Sequence, residues 1–323
     1  MPQVLLTEPI DPAGTTLLDE AGLSWAVASA PDEDTLAREA GDAQAIITRV
    51  APVTARVLAA ASDLRVVAKH GVGCDNVDVA HLSARNIPMT IAAGANAQSV
   101  AEHTLALLLA AARRLREQDA AMRAGRFNDR QRLVATDLHG ARGLVIGYGR
   151  VGTRVARLLS AFGVDVTVAD ILPLETQARA AGHGFVHDFR DALARAEIVC
   201  LHVPLDATTA NMLDRATFAR FKPGSIFVNC ARGGVMDEAA LEWALEDGPL
   251  AAAGVDVFTQ EPTPADHPLF QRDDIVVSPH TGAASHGAVV AMATMAAQNV
   301  IAGLKGGLLP ERVFNLHALK QPA

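Results

Sequence analysis

Three glycines in the middle of the chain have the spacing to cradle a diphosphate. Gly147, Gly149 and Gly152 form a G-x-G-x-x-G run. The β-branched stretch Leu144-Val145-Ile146 precedes it, and Val151, Val155, Leu158 and Leu159 follow at helical spacing. In that strand–turn–helix setting Gly147 permits the tight turn and Gly149 lets a pyrophosphate approach the backbone. Gly152 lets the helix pack on the strand with its free N–H groups facing the anion. A second apolar run, 164–169, ends in Asp170, where a carboxylate can accept both ribose hydroxyls of a dinucleotide. That carboxylate would repel a 2′-phosphate, and Ile171-Leu172-Pro173 follows with no basic residue. The expected cofactor is therefore NAD rather than NADP. A glycine-rich turn with no ligand is the bland alternative, and the flanking strands and the acid weaken it.

Three further polar residues emerge where such a domain brings its reactive groups, at the carboxyl ends of strands. Arg232 follows the run ending in Cys230, Glu261 follows Val255-Asp256-Val257, and His280 follows Val276-Val277-Ser278. All three fall on the rim where a nicotinamide should lie. Each has an ordinary explanation alone: a histidine after proline can cap a loop, an arginine can bridge domains, a glutamate can be a solvated loop acid. Their coincidence beside a dinucleotide site favours chemistry.

The elements that must position these residues read as two alternating α/β patterns. Before the glycine run, strands are expected at 4–7, 24–28, 45–48, 65–68 and 89–92, with helices between them and no glycine fingerprint. After it, strands at 185–186, 198–203, 225–230, 251–257 and 275–278 join the two around the glycines in a sheet of six or seven. The span 96–125 is the longest helical pattern, with an apolar face through Val100, Thr104, Leu107, Leu108, Ala111 and Leu115. It reads as one interdomain helix with apolar surface to spare for a dimer contact. A last helix at 284–304 is expected to cross back to the first domain. The expected fold is thus α/β with two doubly wound parallel-sheet domains. A Rossmann NAD-binding domain, 97–285, is inserted in a discontinuous flavodoxin-like substrate domain, 1–96 and 286–323, and the two crossovers form a hinge.

Half of the 323 residues are hydrophobic, enough for two cores. A formal net charge of −8 without a long basic run argues against a nucleic-acid surface, and 4% aromatics leaves little for base stacking. Cys74, Cys200 and Cys230 show no metal-ligand spacing, so no metal is expected, and their odd number implies free thiols in a reducing compartment. Met1-Pro2-Gln3 lacks the basic start of a signal peptide, and the longest clean apolar run, 105–112, is far short of a bilayer span. A cytoplasmic protein without membrane contact is expected.

Along essentially its whole length the sequence resembles the D-isomer-specific 2-hydroxyacid dehydrogenases. Asn229-Cys230-Ala231-Arg232-Gly233, Gly254-Val255-Asp256-Val257-Phe258 with Glu261-Pro262, and Ser278-Pro279-His280-Thr281-Gly282 are similar to that family's three signature blocks. His202-Val203-Pro204-Leu205-Asp206-Ala207-Thr208-Thr209 resembles its cofactor-bordering loop. His70-Gly71-Val72-Gly73-Cys74-Asp75-Asn76-Val77-Asp78 resembles its substrate loop, and Ser99-Val100-Ala101-Glu102 the start of its interdomain helix. The resemblance implies that His280 exchanges the hydroxyl proton. Glu261 would bind the other imidazole nitrogen and stabilise the imidazolium, and Arg232 would hold the substrate carboxylate and polarise the carbonyl. Asp256 would contact the nicotinamide carboxamide. The implied cofactor set is Gly147, Gly149, Arg150, Val151, Gly152, Asp170, Val203, Pro204, Thr209, Ala231, Asp256, His280 and Gly282. The implied substrate set is Arg49, His70, the backbone of Val72 and Gly73, Asn96 and Arg232.

The first domain most resembles the phosphoglycerate dehydrogenase branch. Arg49, within Ile46-Ile47-Thr48-Arg49-Val50, occupies the place of an arginine that faces the substrate's distal anion, and the Asn96 loop matches too. Ala92-Ala93-Gly94-Ala95 departs from the branch, and with the chain ending at Ala323 no regulatory C-terminal domain is expected. The expected function is hydride transfer between a D-2-hydroxy acid and NAD in a homodimer. A hydroxypyruvate or glyoxylate reductase, which needs no distal-anion site, is one alternative. An NAD(H)-sensing binding protein like the family's corepressors is another.

Overall fold

The computed structural model describes residues 2–320. Two compact units divide the chain, Met1–Asn96 with Ala284–Ala323, and Ala97–Ala283. Unit 1 opens with β1 (Val4–Leu6), α1 (Pro12–Glu20), β2 (Trp25–Val27), α2 (Glu33–Ala40), β3 (Ala45–Thr48), α3 (Ala55–Ala60), β4 (Val66–Lys69), α4 (Val79–Ala84) and β5 (Met89–Thr90). Side-chain caps start these helices: Asp11, Asp32, Thr54 and Asp78 each accept from a backbone N–H of the first turn. The five strands are parallel in the order β2-β1-β3-β4-β5, the flavodoxin-like arrangement.

Unit 2 runs through α5 (Ala97–Ala112), α6 (Leu115–Arg123), β6 (Arg142–Ile146), α7 (Gly152–Ala161), β7 (Asp165–Ala169), α8 (Glu175–Ala180) and β8 (Gly184–Val186). It continues with α9 (Arg190–Leu193), β9 (Ile198–Leu201), α10 (Arg215–Phe218), β10 (Ser225–Asn229), α11 (Glu238–Glu246), β11 (Leu250–Val255) and β12 (Ile275–Val277). Its sheet is ordered β12-β11-β10-β9-β6-β7-β8 and is parallel throughout. The order reverses at β6, the doubly wound topology expected of a dinucleotide-binding domain. Successive residues of the central strands enter opposite cores. Leu144, Ile146, Val199, Leu201 and Phe227 lie on one face, and Val145, Ile198, Cys200, Ile226 and Val228 on the other. Strands covered on both sides carry no polar alternation, which explains their continuous apolar runs.

One expectation is corrected. The span 96–125 is two helices, because Arg114 takes a left-handed backbone (φ 53°) between α5 and α6. Glu117 holds the Arg114 guanidinium through two contacts of 2.6 and 2.5 Å, and Thr136 N–H caps the Ala112 carbonyl at 2.9 Å. The longest helix is α12 (His286–Lys305), which returns the chain to unit 1. Its mean hydropathy of 1.5 would suit a bilayer. Here that surface packs unit 1: a Cβ on Gly14 would lie 2.7 Å from the Ala293 carbonyl, and one on Gly303 would lie 2.7 Å from the Val66 side chain. Cys74, Cys200 and Cys230 are buried; burial raises the Cys200 thiol and pushes Cys230 up to about 12.

Phe227 is fully buried and stacks edge-on with Phe218 and Phe221 at centroid distances of 5.5 and 6.2 Å. Phe227→Ala should cost about 3–5 kcal/mol in urea unfolding of unit 2. A loss below about 1 kcal/mol would show that this core is not what holds β10.

Candidate active site

The glycine turn leaves β6 at Ile146. Gly147 adopts φ 93°, and a Cβ there would lie 2.4 Å from the His202 carbonyl; one on Gly152 would lie 1.8 Å from the Gly147 oxygen. Both positions therefore exclude side chains. At Gly149, which is exposed, nothing among the described residues lies within 4 Å of a Cβ, and none of their side chains caps the N-terminus of α7. An open approach to uncapped N–H groups fits a pyrophosphate. Exposed Arg150 and half-buried Val151 complete the turn. Asp170, past the end of β7, accepts the Tyr148 N–H at 2.7 Å on Oδ2 and the Leu172 N–H at 2.9 Å on Oδ1. Those bonds fix the carboxylate beside the turn and leave lone pairs for ribose hydroxyls. The 203–209 loop abuts the turn through Val203, whose Cγ1 lies 3.1 Å from the Gly147 Cβ position; Thr209 Oγ1 bonds the Pro204 carbonyl at 2.7 Å.

Arg232, Glu261 and His280 follow three neighbouring strands whose last levels are in register: Asn229 pairs with Val255, and Val255 with Val277. Asn229 frames the Arg232 turn, accepting the Ala231 N–H at 2.9 Å and donating to the Arg232 carbonyl at 3.0 Å. Gly233 then presses on the next loop, for a Cβ there would fall 2.0 Å from the Phe258 carbonyl carbon. Glu261 Oε1 accepts the Phe258 N–H at 3.0 Å and Oε2 lies 2.7 Å from His280 Nδ1. An ionised carboxylate can only accept, so Nδ1 carries the hydrogen and Nε2 is left for proton exchange. Burial opposes ionisation of Glu261; the hydrogen bonds from His280 and Phe258 and the charges of His280 and Arg232 outweigh it, holding the carboxyl below its usual range. The pair is therefore arranged to keep a negative charge on the side of the imidazole away from Nε2.

Asp256 is 1% exposed. Its oxygens accept from Ser278 Oγ at 2.6 Å and from the Thr281 and Gly282 N–H groups at 2.8 Å each, while its own carbonyl accepts the His280 N–H at 2.8 Å. These bonds tie the Asp256 carboxylate to the loop that carries His280. Ser99 Oγ donates to the Gly282 carbonyl at 2.7 Å, and His103 Nε2 lies 2.8 Å from Ser278 Oγ. Neither Ser278 nor His103 carries a local signal of its role, because their partners are far away in the chain.

In unit 1, Glu8 accepts the Arg49, Val50 and Ala51 N–H groups at 3.1, 3.0 and 3.3 Å and shapes the loop after β3. The exposed Arg49 guanidinium donates to the Pro9 carbonyl at 2.8 Å. Lys69 bonds the Arg49 carbonyl and Asn76 Oδ1, stapling that loop to the one after β4. His70 is buried beside it. Burial first, then the charges of Arg49 and Lys69, push its pKa down to about 4 against a Val289 backbone hydrogen bond, and Nε2 has no hydrogen-bond partner among the described residues. Val72, Gly73 and Asn96 are half-buried. Glu8 and Lys69 escaped sequence reading, since nothing local distinguishes them.

Burial opposes ionisation of Asp256, but hydrogen bonds from His103, Ser278, Thr281 and Gly282 outweigh it and hold its pKa below 3.8. The stabilisation from its charge is complete above pH 3.8 and is lost as pH falls through the folded-state value. Urea unfolding should show wild type more stable than Asp256→Asn near neutrality, with the gap closing as pH falls below 3.8. A gap independent of pH would contradict this.

The D-isomer specific 2-hydroxyacid dehydrogenase, NAD binding domain family model matches residues 105–282. D-3-phosphoglycerate dehydrogenase of Mycobacterium tuberculosis is 40% identical over 316 residues, 97% of this chain and 59% of that protein, so the chain spans about three-fifths of that relative. Glyoxylate reductase of Korarchaeum cryptofilum is 34% identical over 99% of this chain and 97% of its own. The crystal structure of D-lactate dehydrogenase from Aquifex aeolicus, complexed with NAD and lactic acid, superposes with a TM-score of 0.83 at 25% identity, over 94% of this chain and 95% of that one. With the glycine turn, Asp170 and the three catalytic-end loops in place, the chain belongs to the D-isomer-specific 2-hydroxyacid dehydrogenase family, and unit 2 is that family's NAD-binding domain.

Proposed function

We propose that the chain is an NAD-dependent oxidoreductase that moves a hydride between a D-2-hydroxy acid and NAD+, with phosphoglycerate dehydrogenase-like chemistry. The observation that carries this reading is the 2.7 Å His280–Glu261 pair on loops shared with Arg232. NAD, when bound, supplies the hydride acceptor. Oxidation breaks the C2–H and O–H bonds of the hydroxy acid and leaves a C2 carbonyl. His280 Nε2 takes the hydroxyl proton, Glu261 stabilises the imidazolium that results, and Arg232 pairs with the substrate carboxylate through its planar fork. In the reductive direction the imidazolium returns the proton. Gly147, Gly149, Arg150, Val151, Gly152 and Asp170 hold the diphosphate and adenosine ribose, with Val203, Pro204, Thr209, Ala231 and Gly282 bordering the cofactor.

Unit 1 is the proposed substrate domain, through Arg49, His70, Val72, Gly73 and Asn96. Arg49 is exposed with its positive charge available to a distal phosphate, and the mycobacterial relative is a D-3-phosphoglycerate dehydrogenase. The second reading, a glyoxylate or hydroxypyruvate reductase, is favoured by the archaeal glyoxylate reductase that matches over almost its full length. A homodimer is proposed on the apolar residues that unit 2 exposes after α5, among them Phe127 at 54% and Val134 at 74%. A cytoplasmic setting is proposed on the buried thiols of Cys200 and Cys230, which show no metal-ligand spacing.

NAD+ reduction assayed over a panel of 2-hydroxy acids, phosphorylated and not, tests the reading. Turnover of D- but not L-enantiomers is expected. His280→Ala should lose about 10³-fold in kcat while NADH binding, followed by fluorescence, persists; near-wild-type turnover would sink the assignment. Arg49→Ala should raise KM for 3-phosphoglycerate and spare hydroxypyruvate. Equal effects on both would remove the distal-anion role.

A further inference from the structure

We propose that His103, on α5, is a positioning residue for His280. Its Nε2–H completes the donor set around Ser278 and the buried Asp256 carboxylate, and so holds the loop that carries the acid/base imidazole. For its catalytic consequence this rests on the reading of His280 given above; for its geometry it does not.

The hydrogen inventory assigns the direction of each bond. Ser278 Oγ lies 2.6 Å from Asp256 Oδ1, and its single hydrogen goes there because the ionised carboxylate has none to give. In its 2.8 Å contact with His103 Nε2, Ser278 Oγ is therefore the acceptor, and Nε2 carries the hydrogen. The same Nε2 lies 3.2 Å from Asp256 Oδ1, so one N–H serves both oxygens. Among the described residues, the donors to Asp256 are His103, Ser278, Thr281 and Gly282. Three of the four belong to the 278–282 loop. Only His103 comes from another element.

That loop needs holding from outside. His280 has φ 52°, a left-handed backbone that a residue with a Cβ seldom adopts and that persists only when its surroundings impose it. Asp256 grips the loop from the sheet side through the His280, Thr281 and Gly282 N–H groups. Helix α5 grips it from the other side, through Ser99 Oγ on the Gly282 carbonyl and His103 Nε2 on Ser278. The helix is itself seated on the sheet, where a Cβ on Gly254 would fall 2.8 Å from the Leu107 Cβ. His103 is thus a fixed peg between the helix and the His280 loop. Its side chain is 23% exposed, so its removal would admit water to compete for Ser278 and Asp256.

Two variants separate a hydrogen-bonding peg from mere packing. His103→Leu keeps volume and loses the donor; His103→Gln returns an amide N–H at the depth of Nε2. In long-range 1H–15N spectra of the imidazoles, the His280 signals are identified by their loss in His280→Gln. They should shift or broaden in His103→Leu and return in His103→Gln. Turnover should fall about tenfold or more in His103→Leu, with KM for NAD+ and melting temperature near wild type, and recover to within about threefold in His103→Gln. Ser278→Ala, which removes the acceptor, should disturb His280 as His103→Leu does and serves if that variant does not fold. Unmoved His280 signals in His103→Leu or Ser278→Ala, or a His103→Gln protein as impaired as His103→Leu, would overturn the proposal. If the wild type turns over no 2-hydroxy or 2-keto acid, the dehydrogenase reading fails and the spectra alone decide the role of His103.

Discussion

The 2.7 Å bond between Glu261 Oε2 and His280 Nδ1 joins two loops that meet only because β11 and β12 are parallel neighbours ending at one level. In an antiparallel pair the same residues would leave from opposite ends of the sheet. Parallel order therefore does the first part of the positioning. Close approach of backbone does the second: Gly233 has no Cβ, so the Arg232 turn can lie against Phe258, and Phe258 N–H in turn orients Glu261. A side chain at residue 233 would displace the arginine and the glutamate together.

Behind that bond stands a buried charge. Taking Asp256 out of water is costly, and the cost is offset by four donors that converge on it. Because those donors include two consecutive N–H groups after His280, satisfying the carboxylate also dictates the backbone of the loop. The left-handed turn at His280 is thus a consequence of burying Asp256 rather than an independent strain. The glycine turn works in the opposite sense. It leaves the N-terminus of α7 uncapped and open, so that a ligand rather than the protein completes its hydrogen bonding.

Features whose signals are local were legible in the sequence. The glycine spacing, Asp170 at the end of its apolar run, and polar residues just past three strands each declare themselves within a few positions. Both sheets were legible for the same reason, since strands buried on both faces read as unbroken apolar runs. The break at Arg114 was not, because helical periodicity continues past it while a capping contact from Thr136 ends α5. His103 was invisible as well. Its partner Ser278 lies 175 residues away, and an ordinary amphipathic helix can carry a histidine there for no reason. Glu8 and Lys69 shape the loops of unit 1 by bonding backbone far along the chain, which no local pattern reports.

The central claim is that the charge of Glu261, and not only its shape, lets His280 exchange the substrate proton. Glu261→Gln tests it most directly, because the amide oxygen can still accept from Nδ1 while the negative charge is gone. Measured with the best hydroxy acid and NAD+, kcat should fall about 100-fold, with the affinity for NADH unchanged. A kcat within about threefold of wild type would contradict the account and leave the pair a structural contact.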